Sequence, residues 1–341
     1  MLCALAASGV AQRAELRAAE QLDMPARVDS NSPAFWLDGQ LHVITSDGAP
    51  FLNQGADQSL LGGLGGIVVD RHDHFPMWIE SVWMDSERTL YAWYHHEPSG
   101  VCPGSGLTAP QIGALVSYDG GKSFRDLGLV LTSGELEYCT AQNGFFAGGH
   151  GDFSVILDAE RRYFYFLFSN YGGDAESQGI AVARMAFEDR VAPAGAVWKY
   201  HGGGWDEPGL GGRVTPSFPV SVGWQRAETN AFWGPSVHWN TYLESYVVLM
   251  NHACCQPRWP QEGVYVSFNP DLSSPQGWTK PQKILDQPHG YYPQVIGTGR
   301  RDTDRRAGQV ARFYLQGWSG YEIVFSKLQA AAQQPDEPPE Q

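Results

Sequence analysis

Short apolar runs separated by turn residues recur along the chain, and the clearest lies at Gly149 to Asn170, GHGDFSVILDAERRYFYFLFSN. Asp152 leads a short apolar strand, Phe153 to Leu157; Asp158-Ala159-Glu160 make a turn, and a second strand rich in aromatics follows from Tyr163 to Phe168. This is the pattern of a β-hairpin led by an acid. Related hairpins start at Ser32-Pro33, Ile79-Glu80, Gly234-Pro235 and Tyr292-Pro293. Aligned on residues 33, 80, 153, 235 and 293, they lie 47, 73, 82 and 58 residues apart, at or above the spacing of propeller blades.

Each hairpin is followed by an apolar run that opens on Gly or contains one early: GIVVD (66–70), GALVSYD (113–119), GIAVARM (179–185), GVYVSF (263–268) and GYEIVFS (320–326). Outer fourth strands are legible at 124–131, 197–201 and 278–285, and helical periodicity is confined to residues 12–21. The expected fold is all-β, a five-bladed β-propeller of four-stranded antiparallel blades over residues 22–328. The last blade has no fourth strand after Ser326, so the segment from Leu22 to Val28 is expected to supply it and close the ring. Ser117-Tyr-Asp119-Gly-Gly121-Lys-Ser123-Phe124 fits the S-x-D-x-G-x-[ST]-[WF] pattern of the Asp-box, resembling the turns between third and fourth strands of sialidase-type propellers. Its Asp caps a turn and carries no information about substrate.

Composition narrows the function classes. The 341 residues carry a net charge of -14, with 23 Lys and Arg against 37 Asp and Glu, which argues against nucleic acid and for a neutral or basic ligand. No apolar run reaches the roughly 20 residues of a membrane span. Residues 1–21 read as an N-terminal segment resembling a truncated secretory signal, and 329–341 as a disordered tail, so the expected location is secreted or periplasmic. The five cysteines fit no zinc pattern. Cys102–Cys139 and Cys254–Cys255 are candidate disulfides.

If every first strand starts at one mouth of the channel, the loops on that face hold most of the unusual side chains: His95, Glu97, His150, Tyr171, His252 and Trp259 among them. Candidate catalytic carboxylates are Asp152, Glu80, Asp29 and Glu97, since glycoside cleavage needs two carboxyl groups about 5 to 9.5 Å apart. Candidate substrate contacts are His95, His150, Tyr171, His252, Trp259, Tyr291 and Trp318, by hydrogen bonding or by stacking on sugar faces. Each acid could instead be a solvated cap, and most aromatics could be packing between blades. No metal-ligand spacing is present and no cofactor is required, although a channel-bound cation such as calcium is compatible with these groups.

The Asp152-Phe-Ser-Val-Ile-Leu-Asp158 block resembles the third-blade hairpin of the five-bladed glycoside hydrolases of the arabinanase and β-xylosidase type (family 43), and Ser32-Pro33, Trp78-Ile79-Glu80 and Trp233-Gly234-Pro235 resemble their other blades. The resemblance implies an Asp opening blade one as general base, an Asp opening blade three as pKa modulator and a Glu opening blade four as general acid. Asp152 matches the blade-three position. Ser32 stands at the blade-one position, with Asp29 three residues earlier; Trp233 or Gly234 stands at the blade-four position, with Glu228 nearby. The leading expectation is a glycoside hydrolase on a carbohydrate substrate. Two alternatives stay open: a polysaccharide lyase with a His or Tyr base and Arg71, Arg213 or Arg258 holding a uronate, and a non-catalytic glycan-binding propeller. A sialidase is disfavoured, because no three-Arg cluster with a Tyr–Glu pair is recognisable.

Overall fold

The computed structural model describes residues 11–328. Five antiparallel sheets are arranged as the five blades of a propeller. Blade one comprises Ala34–Leu37, Gln40–Ser46, Pro50–Gly55 and Gly62–Gly66; blade two Met77–Met84, Leu90–His96, Gln111–Ser117 and Ser123–Leu131. Blade three runs His150–Leu157, Tyr163–Asn170, Gly179–Ala186 and Val197–His201, and blade four Asn230–Asn240, Ser245–Cys254, Gln261–Asn269 and Gln282–Asp286. Blade five combines Pro293–Gly297, Val310–Leu315 and Trp318–Leu328 with Ala11–Asp23 from the other end of the chain.

Strand periodicity explains how flat blades make a solid ring. Along Tyr163–Asn170, Phe164, Phe166 and Phe168 face blade two, where they meet Tyr91, Trp93 and Ile112. Tyr165 and Leu167 point the opposite way, to Val237, Val248 and Met250 of blade four. Each pair of adjacent blades encloses an apolar layer of this kind, because successive strand residues alternate between faces. Buried serines stitch the inner strands together. The Ile79 N–H donates to Ser46 Oγ (3.1 Å), Val155 N–H to Ser81 Oγ (2.8 Å) and Val237 N–H to Ser154 Oγ (3.2 Å).

Three strand expectations are corrected. The third strand of blade one is Pro50–Gly55, not residues 66–70; Val68 and Val69 instead pair in parallel with Ser123 and Phe124 of blade two. Pro50–Gly55 lacks an unbroken apolar run because Asn53 sits inside it, with its amide bonded to Val43 O and Thr45 Oγ1. In blade four the outer strand begins at Gln282, so Trp278 to Lys280 precede it. Ring closure is made by Ala11–Asp23, paired with Trp318–Leu328, rather than by 22–28, and residues 12–21 are strand rather than helix. The ring thus includes residues 11–21, which the sequence reading placed before it. Residues 1–10 of the expected leader and the expected tail at 329–341 lie outside the described residues.

The turn at 117–124 joins the third and fourth strands of blade two, and Asp119 accepts from Lys122 N (3.1 Å), Ser123 N (3.0 Å) and Ser123 Oγ (2.6 Å).

Ala14 is buried against the apolar layer between blades four and five, whereas Arg17 forms an exposed ion pair with Glu322. Ala14→Asp should therefore cost about 1–3 kcal/mol and lower Tm by several degrees. Arg17→Ala should cost under about 1 kcal/mol. Equal melting temperatures for the two variants would show that this strand does not close the ring.

Candidate active site at the channel mouth

The innermost strands are irregular where acids appear. In blade two the pairing skips between Ile79 and Ser81, leaving Glu80 as the extra residue; in blade three it skips between Gly151 and Phe153, leaving Asp152. Such bulges re-aim a side chain. Asp152 is held at φ 40°, in the left-handed region that L side chains seldom adopt. Blade four has its own break between Trp233 and Ser236. There Gly234 sits at φ 56°, and a Cβ on it would lie 2.6 Å from Asn251 Nδ2. No carboxylate fits at Gly234 without a shift of its surroundings, and Trp233 turns away to pack with Trp259, Tyr291 and Tyr292.

Glu80, His95 and Asp152 converge, each offering an atom within 4.8 Å of the others. His95 Nδ1 lies 2.5 Å from Glu80 Oε1, and its Nε2 lies 3.6 Å from Glu97 Oε1. Trp78, directly across the hairpin from His95, stacks on its ring at 4.7 Å. The second Glu80 oxygen accepts from Phe153 N–H (3.3 Å), while the Tyr171 hydroxyl donates to Asp152. Asn31 spans the channel, its amide donating to Phe153 O (2.9 Å) and Pro235 O (3.0 Å).

These contacts set the protonation states. Burial opposes charge on His95, but the carboxylates of Glu80 and Glu97 outweigh it and hold its pKa well above the ordinary value. Asp152 is pushed up to about 7, first by burial and then by the charges of Glu80 and Glu97, against the pull of His95 and the Tyr171 hydrogen bond. Asp29, anchored by its N–H to Ser46 O (2.7 Å), is raised to about 6 by burial and by Asp47. Glu80 and Asp152 are almost wholly enclosed; Asp29, Glu97 and Tyr292 are the partly exposed members facing the mouth.

Several expected contacts lie elsewhere. His150 is buried against Phe168, and burial together with nearby Lys199 drives its pKa well below the usual range. His252 is bonded to Glu262 (2.8 Å) and Asn230 (3.1 Å) and packs on Phe232. Trp259 is buried in an aromatic cluster with Tyr171, Trp224 and Trp233, so it backs the site rather than offering a free face. Trp318 stands with Tyr321 in a separate depression. Ser32 is bound through its backbone to Gln294 (2.5 and 2.9 Å), and Glu228 is exposed.

Tyr292 joins the site although it is not among the expected contacts. Its pKa is raised well above normal by burial and then by Asp152, Asp29 and Glu80, which places it among the acids. The repeat alignment contained the signal, because Tyr292 precedes residue 293 as Asp152 precedes residue 153.

Disulfides join Cys102 to Cys139 and Cys254 to Cys255, the first tying two mouth loops together. Arg71 and Arg213 are engaged with Asp73 and Glu207 on the surface. Among the described residues Glu80, His95 and Asp152 form the group able to hold a cation; two carboxylates and an imidazole are a thin set for calcium, which takes 6–8 oxygens, and suit a transition metal better.

No protein-family profile matches the sequence, and no curated protein matches it significantly. Solved structures do. An exo-1,5-α-L-arabinanase from a bovine ruminal metagenomic library is similar at 12% identity over 88% of this chain and 95% of its own, with a TM-score of 0.52. An endo-arabinase from Bacteroides thetaiotaomicron is similar at 12% identity over 92% and 99%, TM-score 0.51, and a thermostable family-43 glycoside hydrolase at 10% over 94% and 98%, TM-score 0.50. The shared property is the fold. It is the five-bladed propeller.

A raised carboxyl pKa means that the folded state holds a proton which the unfolded chain releases near pH 4. Asp152 therefore contributes stability at low pH that is lost as pH rises from about 4 through about 7. The wild-type Tm should fall across that interval more than that of Asp152→Asn. Parallel pH–Tm curves would mean that Asp152 is ionised throughout.

Proposed function

We propose that the protein is a glycoside hydrolase acting on a neutral polysaccharide or oligosaccharide at this mouth. The observation that carries the reading is the division of protonation between two carboxyl groups that both feel the charges of Glu80, His95 and Glu97: Asp152 with a pKa of about 7 and Asp29 with one of about 6. Groups whose environments push their protonation apart can share acid and base work. Asp152 holds a proton at neutral pH to give to the leaving oxygen, and Asp29, mostly ionised there, activates water. Glu80 locks His95 as an imidazolium, and His95 with Glu97 orients sugar hydroxyls. Tyr171 positions the Asp152 carboxyl, and Tyr292 offers a ring and hydroxyl to the sugar.

The charge balance favours a neutral substrate, since four carboxyl groups face one imidazolium. A uronate would meet repulsion, and two of the three arginines open to the lyase reading, Arg71 and Arg213, are committed to acids on the surface, while Arg258 is exposed. A glycan-binding propeller is the second reading, favoured by Gly234, which leaves blade four without an acid. Two disulfides fit a secreted or periplasmic location.

Because similar folds include arabinanases, arabinan heads the panel of polysaccharides to assay for new reducing ends. On the substrate found, Asp152→Asn and Asp29→Asn should each lower kcat by roughly 10²- to 10⁴-fold with the fold intact. Activity should need Asp29 ionised and Asp152 protonated, giving a bell between limbs near pH 6 and pH 7. Unchanged kcat in Asp152→Asn would remove it from the mechanism; retention on glycan without turnover would favour the binding reading.

A further inference from the structure

Two neighbouring depressions lie on the mouth face between blades four and five, away from the carboxylates. One, of about 620 Å³, is lined by Leu285, His289, Leu315, Gln316, Trp318 and Tyr321. The other, of about 500 Å³, is bordered by Cys254, Gln261 and Tyr291. The segment Gln287 to Gly290 lines both, so they form one surface divided by a low ridge. Its inner end reaches the candidate active site, because Tyr291 packs on Trp233 at 5.4 Å and is followed by Tyr292 among the acids.

Trp318 is the notable feature of this surface. It is 37% exposed and lines the larger depression. It rests against a bare backbone position: a Cβ at Gly320, two residues on, would lie 2.5 Å from the indole. Tyr321 braces it edge-on at 6.1 Å. A flat indole fixed before ligand arrives loses little freedom on binding, and Gln287 and Gln316 beside it supply amides. Leu315 pairs with both Pro293 and Trp318, which places Trp318 two strand spacings, roughly 10 Å, outside the inner strand. That distance exceeds one sugar ring.

We infer that the Trp318 surface is a remote subsite for a neutral glycan chain, which runs from the channel mouth outward over the 287–290 ridge and stacks a sugar on the indole. The inference rests on the hydrolase reading for the direction of the chain, but not for the existence of the subsite. An extended substrate is held at two places, and the protein favours polymer over short oligosaccharide.

The test is affinity electrophoresis of the full protein through gels containing arabinan, galactan or arabinoxylan, together with hydrolysis of the retained polymer and of its trisaccharide. Trp318→Ala should lose retention about tenfold and raise KM for polymer about tenfold more than KM for the trisaccharide; Trp318→Phe, which keeps a ring in the strand pairing, should hold the wild-type melting curve and recover part of the retention. Retention that depends on Trp318 in a protein without hydrolase activity upholds the subsite and overturns the hydrolase. Turnover of polymer that ignores Trp318 overturns the subsite and leaves the hydrolase standing. Failure of all three gels to retard the wild type overturns the subsite.

Discussion

The pairing of Ala11–Asp23 with Trp318–Leu328 is the constraint from which the site follows. A sheet blade has two apolar faces, and burial of both needs a neighbour on each side. Joining the two ends of the chain in one blade makes the ring continuous, so every blade has those neighbours. Closure also drives five inner strands toward one axis. There Asn31 can reach across to the backbones of blades three and four, and the bulges at Glu80 and Asp152 turn acids into a space with little water.

Enclosure decides the electrostatics. Moving a carboxylate from water into such a space is costly, and the cost is met by pairing or by keeping the proton. Glu80 follows the first course, with His95 on one oxygen and the Phe153 N–H on the other. Asp152 follows the second, because His95 is already committed and Tyr171 supplies only a neutral donor. The aromatic wall of Phe146, Tyr171, Trp224, Trp233 and Trp259 keeps water from that side. Asp152 raised to about 7 and Asp29 to about 6 are thus a consequence of packing.

Much of this was readable along the chain. The hairpins announced themselves because blade interiors demand apolar or aromatic residues at every second position, as in Tyr163 to Phe168. The closing strand did not: of its described residues only Ala14 is buried, and the run from 12 to 21 carries a helical periodicity that masks its strand. Glu80, His95, Glu97, Tyr171 and Asp152 are brought together as grouped, and Asp29 feels the charges of Glu80, His95 and Glu97. Assigning loops to the mouth worked less well for His150 and His252. Position along a strand tells which end a residue occupies, but a bulge or a ring rotation decides whether it faces the channel or the blade. The missing acid of blade four has a local counterpart in Gly234, where a Cβ would lie 2.6 Å from Asn251 Nδ2 and would require that amide to shift.

The central claim is that ring closure leaves Asp152 holding a proton near neutrality, and infrared difference spectroscopy across a pH titration of the unliganded protein reads that proton directly. The protonated-carboxyl stretch should lose an absorbance step near pH 7, and that step should be absent from Asp152→Asn. Complete loss of the carboxyl signal by about pH 5, as expected for ordinary carboxylates, with no difference between wild type and variant, would contradict it.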